Sequence, residues 1–208
     1  QNPEVLIATL TRELVTAQWA LGYAGVLRFA PPTAGYVMKS GVPYDLGRNM
    51  ACEDALRLNY TWLLFLDDDV FPPADVFHRL ASRGLDIVSG LYYRRAAPIV
   101  PVMMAYNDKR ELGWVTSWTT PGQLLEVDLV GAGCLLIHRR VLEAMQSPWF
   151  DWEIGRAKKE NGAQNMSDDY AFCRKAKDAG FKIHVDTSVI CEHYGVGKSL
   201  AATGGGFV

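Results

Sequence analysis

The chain has 208 residues, 49% of them hydrophobic and 21% charged, with a formal net charge of -2. That length suits one globular core, and the composition excludes a disordered chain. Lys plus Arg (21) do not exceed Asp plus Glu (23), so the charge balance offers no footprint for nucleic acid.

Val5 to Ala8 reads as a short apolar strand, followed by a helix from about Thr11 with Leu14, Ala17, Trp19 and Leu21 near helical spacing. A polar, Gly-containing segment, Ser40 to Gly47, leads into a second helix over Arg48 to Leu58. Trp62 to Leu66 is continuously apolar, as a central strand buried on both faces should be, and it stops at Asp67, Asp68 and Asp69. Pro72-Pro73 then opens a short helix carrying Val76, Phe77 and Leu80, closed by Gly84. Asp86 to Tyr93 is a further strand. Ile99 to Tyr106 and Leu124 to Val130 read as strands of a partly antiparallel region, with Trp114 to Gly122 irregular between them. Cys134 to Ile137 is a strand, and Arg139 to Met145 a short helix stopped by Pro148. Ser167 is placed to cap a helix from Asp168 to Ala179, ended by Gly180. Phe181 to Val185 and Val189 to Cys191 are the last strands, and the glycine-rich tail from Gly195 is expected to be mobile. Strands alternating with helices imply a mostly parallel sheet with helices on both faces, whose ligands sit beyond the carboxyl ends of the strands.

Other function classes recede on simple grounds. The longest apolar run, Tyr60 to Leu66 broken by Thr61, is far short of the roughly 20 residues a membrane span needs. No secretory leader is visible. Cys52, Cys134, Cys173 and Cys191 form no CxxC pair and read as reduced, buried thiols of a cytoplasmic protein. Gly197-Lys198-Ser199 imitates the end of a phosphate-binding loop, but Glu192 stands where that loop needs its first glycine. Phe71 stands where an aspartyl-phosphatase motif needs threonine, and Gly131-Ala132-Gly133 lacks the third glycine of a dinucleotide site.

The aspartate triplet is the most informative feature. Adjacent carboxylates repel one another, so a cation should accompany them. On extended backbone Asp67 and Asp69 point the same way, and oxygen ligands favour Mg²⁺ or Mn²⁺. The competing explanation is a solvated turn capping the next helix. Asp168 and Asp169 open a helix, where the macrodipole keeps a carboxylate ionised, as a general base requires; routine helix capping explains them equally well. His193, at a strand end, is placed to complete a carboxylate site and would tilt it toward Mn²⁺.

The order of these pieces resembles that of a GT-A glycosyltransferase of the family 2-like group. The matching runs are Leu63 to Val70, Val130 to Arg140 and Ser167 to Gly180, with Arg48-Asn49 before them, a Trp149-Phe150 pair between the last two, and His193 after. The resemblance implies a single α/β GT-A domain over 1–197, with a nucleotide-sugar half (about 1–105), an acceptor half (about 106–197), and a glycine-rich tail, 198–208, acting as a lid. It implies a UDP- or GDP-sugar donor, a hydroxyl acceptor (a saccharide or other small molecule), and Mn²⁺ or Mg²⁺ on the diphosphate. Donor contacts would come from Thr9, Thr11, Arg12, Arg48, Asn49, Asp67, Asp68, Gly133 and Lys198. Asp67, Asp69 and His193 would hold the metal. Asp169 would be the base of an inverting transfer, with Asp168 orienting it; aspartate stands at Asp168 where the family usually has glutamate. Gly131 to Gly133 would admit the sugar, and Trp149, Phe150 and Trp152 would stack on the acceptor, unless they are ordinary core. Two other classes fit the pattern: a nucleotidyltransferase, although Thr9 to Glu13 lacks the glycine-rich loop of such enzymes, and a non-catalytic nucleotide-sugar or carbohydrate-binding module.

Overall fold

A computed structural model describes residues 4–152, 167–195 and, for the backbone only, 198–199. Of the proposed lid over 198–208, residues 200–208 and the Lys198 side chain lie outside the described residues.

Strand β1 (Val5–Thr11) runs further than its apolar start implies, because Thr9, Leu10 and Thr11 stay in register with Met38, Lys39 and Ser40 of β2 (Gly35–Ser40). Helix α1 (Ala17–Phe29) therefore starts later than expected, at the point where Thr16 Oγ1 accepts from the Trp19 amide at 3.0 Å. Strand β2 is a correction to the sequence reading. It is an edge strand whose exposed positions include Tyr36 and Met38, so the alternation that marks a half-buried strand is blurred. Helix α2 (Tyr44–Arg57) takes in residues assigned to the preceding loop.

The remaining elements are β3 (Trp62–Leu66), β4 (Val70–Phe71), α3 (Val76–Ala81), β5 (Ile87–Leu91), β6 (Met103–Tyr106) and β7 (Leu112–Trp114). They continue with β8 (Leu124–Val127), β9 (Leu129–Val130), β10 (Cys134–His138), α4 (Arg139–Ala144), α5 (Asp168–Asp178), β11 (Ile183–Ile190), β12 (Glu192–Gly195) and β13 (Lys198–Ser199). The two last strands read from sequence are one strand, β11, whose register against β5 shifts between Asp186 and Ile190.

The central sheet has seven strands in the order β2-β1-β3-β10-β5-β11-β8. Strands β2, β1, β3, β5 and β11 run one way, while β10 and β8 run against them. It draws strands from both halves of the chain. Two small antiparallel sheets, β13-β12-β4 and β7-β6-β9, flank it. Alternation along β1 sends Leu6, Ala8 and Leu10 toward α2, α4 and α5, where Cys52, Leu142, Phe172 and Cys173 wait. Val5 and Ile7 face α1 and α3, meeting Val26, Phe77 and Leu80. Both faces of the sheet are thus covered, which explains why β3 carries no polar residue. No helix among the described residues is long and apolar enough to cross a membrane, and the four cysteines are free and buried.

The bulged strand β11 is fastened to the loop after α3 by Asp186, whose side chain is 0% exposed and accepts from Arg83 Nε at 2.6 Å and Ser188 Oγ at 2.6 Å. Burial raises the Asp186 pKa, but Arg83 and Ser188 outweigh it and leave the carboxyl below its ordinary 3.8. A folded pKa below the unfolded one adds stability above the unfolded pKa, and that stability disappears as pH falls through the folded value. We therefore expect Asp186→Asn to lower the urea midpoint at pH 7, with the gap to wild type closing progressively below about pH 4. A gap that widens on acidification would contradict this assignment.

Candidate functional site

The carboxyl ends of the parallel strands β1, β3 and β5 open on one side of the sheet, delivering Arg12, Asp67 to Asp69, Tyr92, Arg94 and Arg95 to the same place. Helix α5 brings Asp168 and Asp169 up to them. Strand β12 pairs with β4, His193 opposite Val70, and so sets His193 beside the aspartate turn; the Tyr194 amide donates to the Asp69 carbonyl at 2.8 Å. These residues line a cleft of about 420 Å³, with Tyr44, Arg48 and Val102 completing its wall.

Arg48 of α2 lies beneath this cleft with 5% of its surface exposed. Its Nη1 donates to Asp168 Oδ2 at 2.5 Å, and its Nη2 reaches both Asp67 oxygens at 3.4 Å. The Tyr44 and Phe150 rings flank the guanidinium, each with its centroid 5.8 Å from Cζ. Burial opposes the Arg48 charge, but Asp67, Asp168 and Asp169 more than offset it and hold the group above its ordinary range. Burial, opposed by Arg48 and assisted by Asp69, Asp169 and Asp68, pushes the Asp67 carboxyl up to about 6. Asp168 is raised as well, by burial above all. The two acidic segments do meet in one cleft, and a buried arginine joins them. Arg48 is thus engaged by Asp67 and Asp168 while it lines the cleft, and Asp67 faces Arg48 while it lines the cleft beside Asp69.

Asp69 lies on the other side of the turn. Its Oδ2 pairs with Arg95 Nη1 at 2.7 Å, and its Oδ1 lies 3.5 Å from His193 Nε2. Burial raises the Asp69 pKa, but His193 and Arg95 outweigh it and the net direction is down. His193 Nδ1 is 2.6 Å from the Tyr93 carbonyl oxygen, so Nδ1 carries a proton and donates it. The Tyr92 ring meets the imidazole edge-on, 5.5 Å between centroids. A protonated ring donates Nε2–H toward Asp69, the form in which His193 lowers that carboxyl, whereas a neutral ring turns the Nε2 lone pair to the carboxylate oxygen, with room for a cation between the two acceptors. An imidazole held by a backbone carbonyl, with its other nitrogen toward a carboxylate, fits a divalent cation. Among the described residues no group of three or more His, Cys, Asp or Glu side chains is arranged to hold a metal.

Asp169, at the start of α5, accepts from the Ser167 hydroxyl and from the Tyr170 amide at 2.9 Å, both on Oδ1. Ser167 holds the N-cap position, yet its hydroxyl serves Asp169 and makes no cap bond, contrary to the capping role read from sequence.

Several expected site residues serve the scaffold instead. Asn49 Oδ1 accepts from the Trp149 amide at 2.8 Å and the Phe150 amide at 3.0 Å, while Nδ2 donates to the Phe150 carbonyl at 2.7 Å. Asn49 thus ties α2 to the segment after α4. Trp149 and Phe150 are buried in the core, Trp149 Nε1 donating to the Leu142 carbonyl and Phe150 stacked on Phe172 at 4.5 Å, so neither offers a surface to an acceptor. Trp152 is exposed but does not line the cleft. Thr9 is buried beside Tyr23. The Thr11 hydroxyl makes no hydrogen bond of ordinary length and acts on Asp68 from beyond that range. The Gly133 amide donates to Tyr92 Oη at 3.0 Å, and a Cβ there would come within 2.9 Å of Val70 and 3.1 Å of Tyr92. The glycine is needed for Tyr92 to pack.

Sequence reasoning missed Tyr44, Tyr92, Arg94 and Arg95, all of which line the cleft. The two arginines had a signal. They follow β5 as the aspartates follow β3, at the strand ends where such sheets bind ligands.

The sequence matches no family model and no curated protein. Solved structures similar to it include A197 from STIV, at 21% identity over 92% of this chain and 85% of that one, with a TM-score of 0.65. GalNAc-T7 with UDP, GalNAc and Mn²⁺ aligns at 11% identity, covering 93% of this chain and 44% of that one, TM-score 0.60. UDP-glucose pyrophosphorylase complexed with UDP-glucose aligns at 7% over 93% and 94%, TM-score 0.51. At these identities the likeness shows the shared α/β fold and singles out no family within it.

Removing Arg48 leaves the buried Asp168 and the half-buried Asp67 without their cation. Arg48→Ala is expected to cost about 3–5 kcal/mol in urea denaturation, and Arg48→Ala with Asp168→Asn less than the sum of the two single changes. Additive effects would mean that the two groups do not depend on each other.

Proposed function

We propose that the protein is a divalent-metal-dependent glycosyltransferase, moving a sugar from a nucleotide-diphosphate-sugar to an acceptor hydroxyl with inversion. The observation that carries this reading is the meeting, in one cleft of a fold shared with nucleotide-sugar-handling proteins, of the Asp69–His193 pair with the separately held carboxylate of Asp169.

Sugar transfer builds positive charge on the ring and negative charge on the departing diphosphate. Asp69 Oδ1 and His193 Nε2 would hold Mn²⁺ or Mg²⁺, which supplies positive charge to that leaving group. Tyr93, through its carbonyl, fixes the imidazole tautomer so that Nε2 faces the site. Arg12, at the end of β1, adds positive charge on the donor side, with Asp68 lining the same wall. As the acceptor oxygen bonds to the anomeric carbon, the bond from that carbon to the diphosphate oxygen breaks and its electron pair leaves with the diphosphate. The acceptor proton passes to Asp169. Ser167 and Tyr170 already occupy Oδ1, so Oδ2 is the receiving oxygen and the carboxylate is oriented before substrate arrives. Asp168 takes no proton in this scheme; it holds Arg48 and, through it, the aspartate turn.

Nucleotide-sugars tested with Mn²⁺ are expected to raise the melting temperature, and at least one UDP- or GDP-sugar should be hydrolysed or transferred. Asp69→Ala should abolish metal-dependent turnover; full activity without metal would overturn the site. Asp169→Asn should lower transfer roughly 100- to 10,000-fold while donor binding by calorimetry persists. A product retaining its anomeric configuration would remove Asp169 from the role of base in a single displacement.

A further inference from the structure

The turn after β5 carries two adjacent arginines in different circumstances. Arg95 is paired with Asp69 at 2.7 Å, on the side where the donor diphosphate would lie. Arg94 lies against the indole of Trp114 in β7, its Cζ 5.2 Å from the ring centroid. Among the described residues its side chain makes a single long hydrogen bond, from Nη1 to the Pro98 carbonyl at 3.5 Å, and pairs with no carboxylate. Arg94 lines the same cleft as Asp169, and the small sheet that carries its Trp114 seat, β7-β6-β9, packs through β9 on α5, whose first turn holds Asp169. A guanidinium laid on an aromatic face has little rotamer freedom left to lose, and its planar fork presents parallel N–H donors suited to an oxyanion. Arg48 and Arg95 are both committed to aspartates, which leaves Arg12 and Arg94 as the cleft arginines without a carboxylate partner among the described residues, and Arg94 is the one seated on the sheet that packs on α5.

We infer that the acceptor carries an anionic group, a phosphate or a carboxylate, which Arg94 binds from its seat on Trp114. This rests on the transferase reading above and adds the acceptor's chemical class to it. Asp169 and the other aspartates of the cleft would repel such a ligand; a fixed cation beside the base offsets that repulsion and sets where the reacting hydroxyl comes to lie. Arg94 is thus a specificity-determining residue for the acceptor.

The test is titration calorimetry without donor or metal, using glucose 6-phosphate, glucuronate and glucose as probes on the wild type and on Arg94→Ala, Arg94→Lys and Arg12→Ala. The charged probes should bind the wild type more tightly than glucose. Arg94→Ala should weaken them roughly 10- to 100-fold, the range of a charge-assisted two-point contact, with glucose little altered. Arg94→Lys keeps the charge without the fork and should fall between the two, which also guards against a folding defect. Equal binding of charged and neutral probes by the wild type overturns the inference. So does an Arg12→Ala loss as large as that of Arg94→Ala, since it would put the anion on the donor side. Donor binding is scored separately: failure of every nucleotide-sugar to stabilise the wild type would remove the transferase reading and leave the anion measurement standing on its own.

Discussion

A guanidinium held between two carboxylates organises this molecule. Arg48 on α2 bonds Asp168 at the start of α5 and faces Asp67 at the end of β3, joining segments 120 residues apart in sequence. Each aspartate would be costly to bury alone, because desolvation of an ion exceeds what a single neutral hydrogen bond returns. With the arginine between them, both become fixed points. Asp69, two residues beyond Asp67, and Asp169, next to Asp168, are thereby held where both line the cleft. Each acidic segment has one carboxylate that meets Arg48 and another that does not.

Charge in the cleft is balanced differently from what a count of carboxylates implies. Asp67, Asp68, Asp69, Asp168 and Asp169 are met by Arg12, Arg48, Arg94 and Arg95, so the site is close to neutral before any ion binds. A divalent cation at Asp69 and His193 would make the cleft a receptor for anions, which suits a diphosphate leaving group. Arg95 sits on the far oxygen of the carboxylate that would hold that ion. Metal and arginine are thereby linked through Asp69: positive charge added at one oxygen weakens the hold on the other.

Much of this site was legible in residue order. An apolar strand running into Asp67 to Asp69 locates a strand end, and paired aspartates after Ser167 locate a helix start, because both signals are local. His193 could be flagged for its chemistry, but its approach to Asp69 depends on β12 pairing with β4, a contact between segments remote in sequence. Asn49 shows the opposite case. A polar residue early in a helix looks like a ligand contact until its partners are known, and here they are the Trp149 and Phe150 amides. Trp149 and Phe150 failed for the same reason, since an aromatic pair reads alike as core or as stacking surface.

The sequence by itself determined the fold class, most of the central strands and helices, and the two acidic positions, because hydrophobic period, capping residues and carboxylate repulsion act over a few residues. It passed over the edge strand β2, whose exposed positions carry the apolar Tyr36 and Met38 and so hide its alternation. Only the tertiary structure decided which carboxylate is buried and which is offered, which arginines are already paired, and that Arg94 rests on Trp114. Those outcomes turn on desolvation and on the distance between charges, and neither exists until the chain has folded.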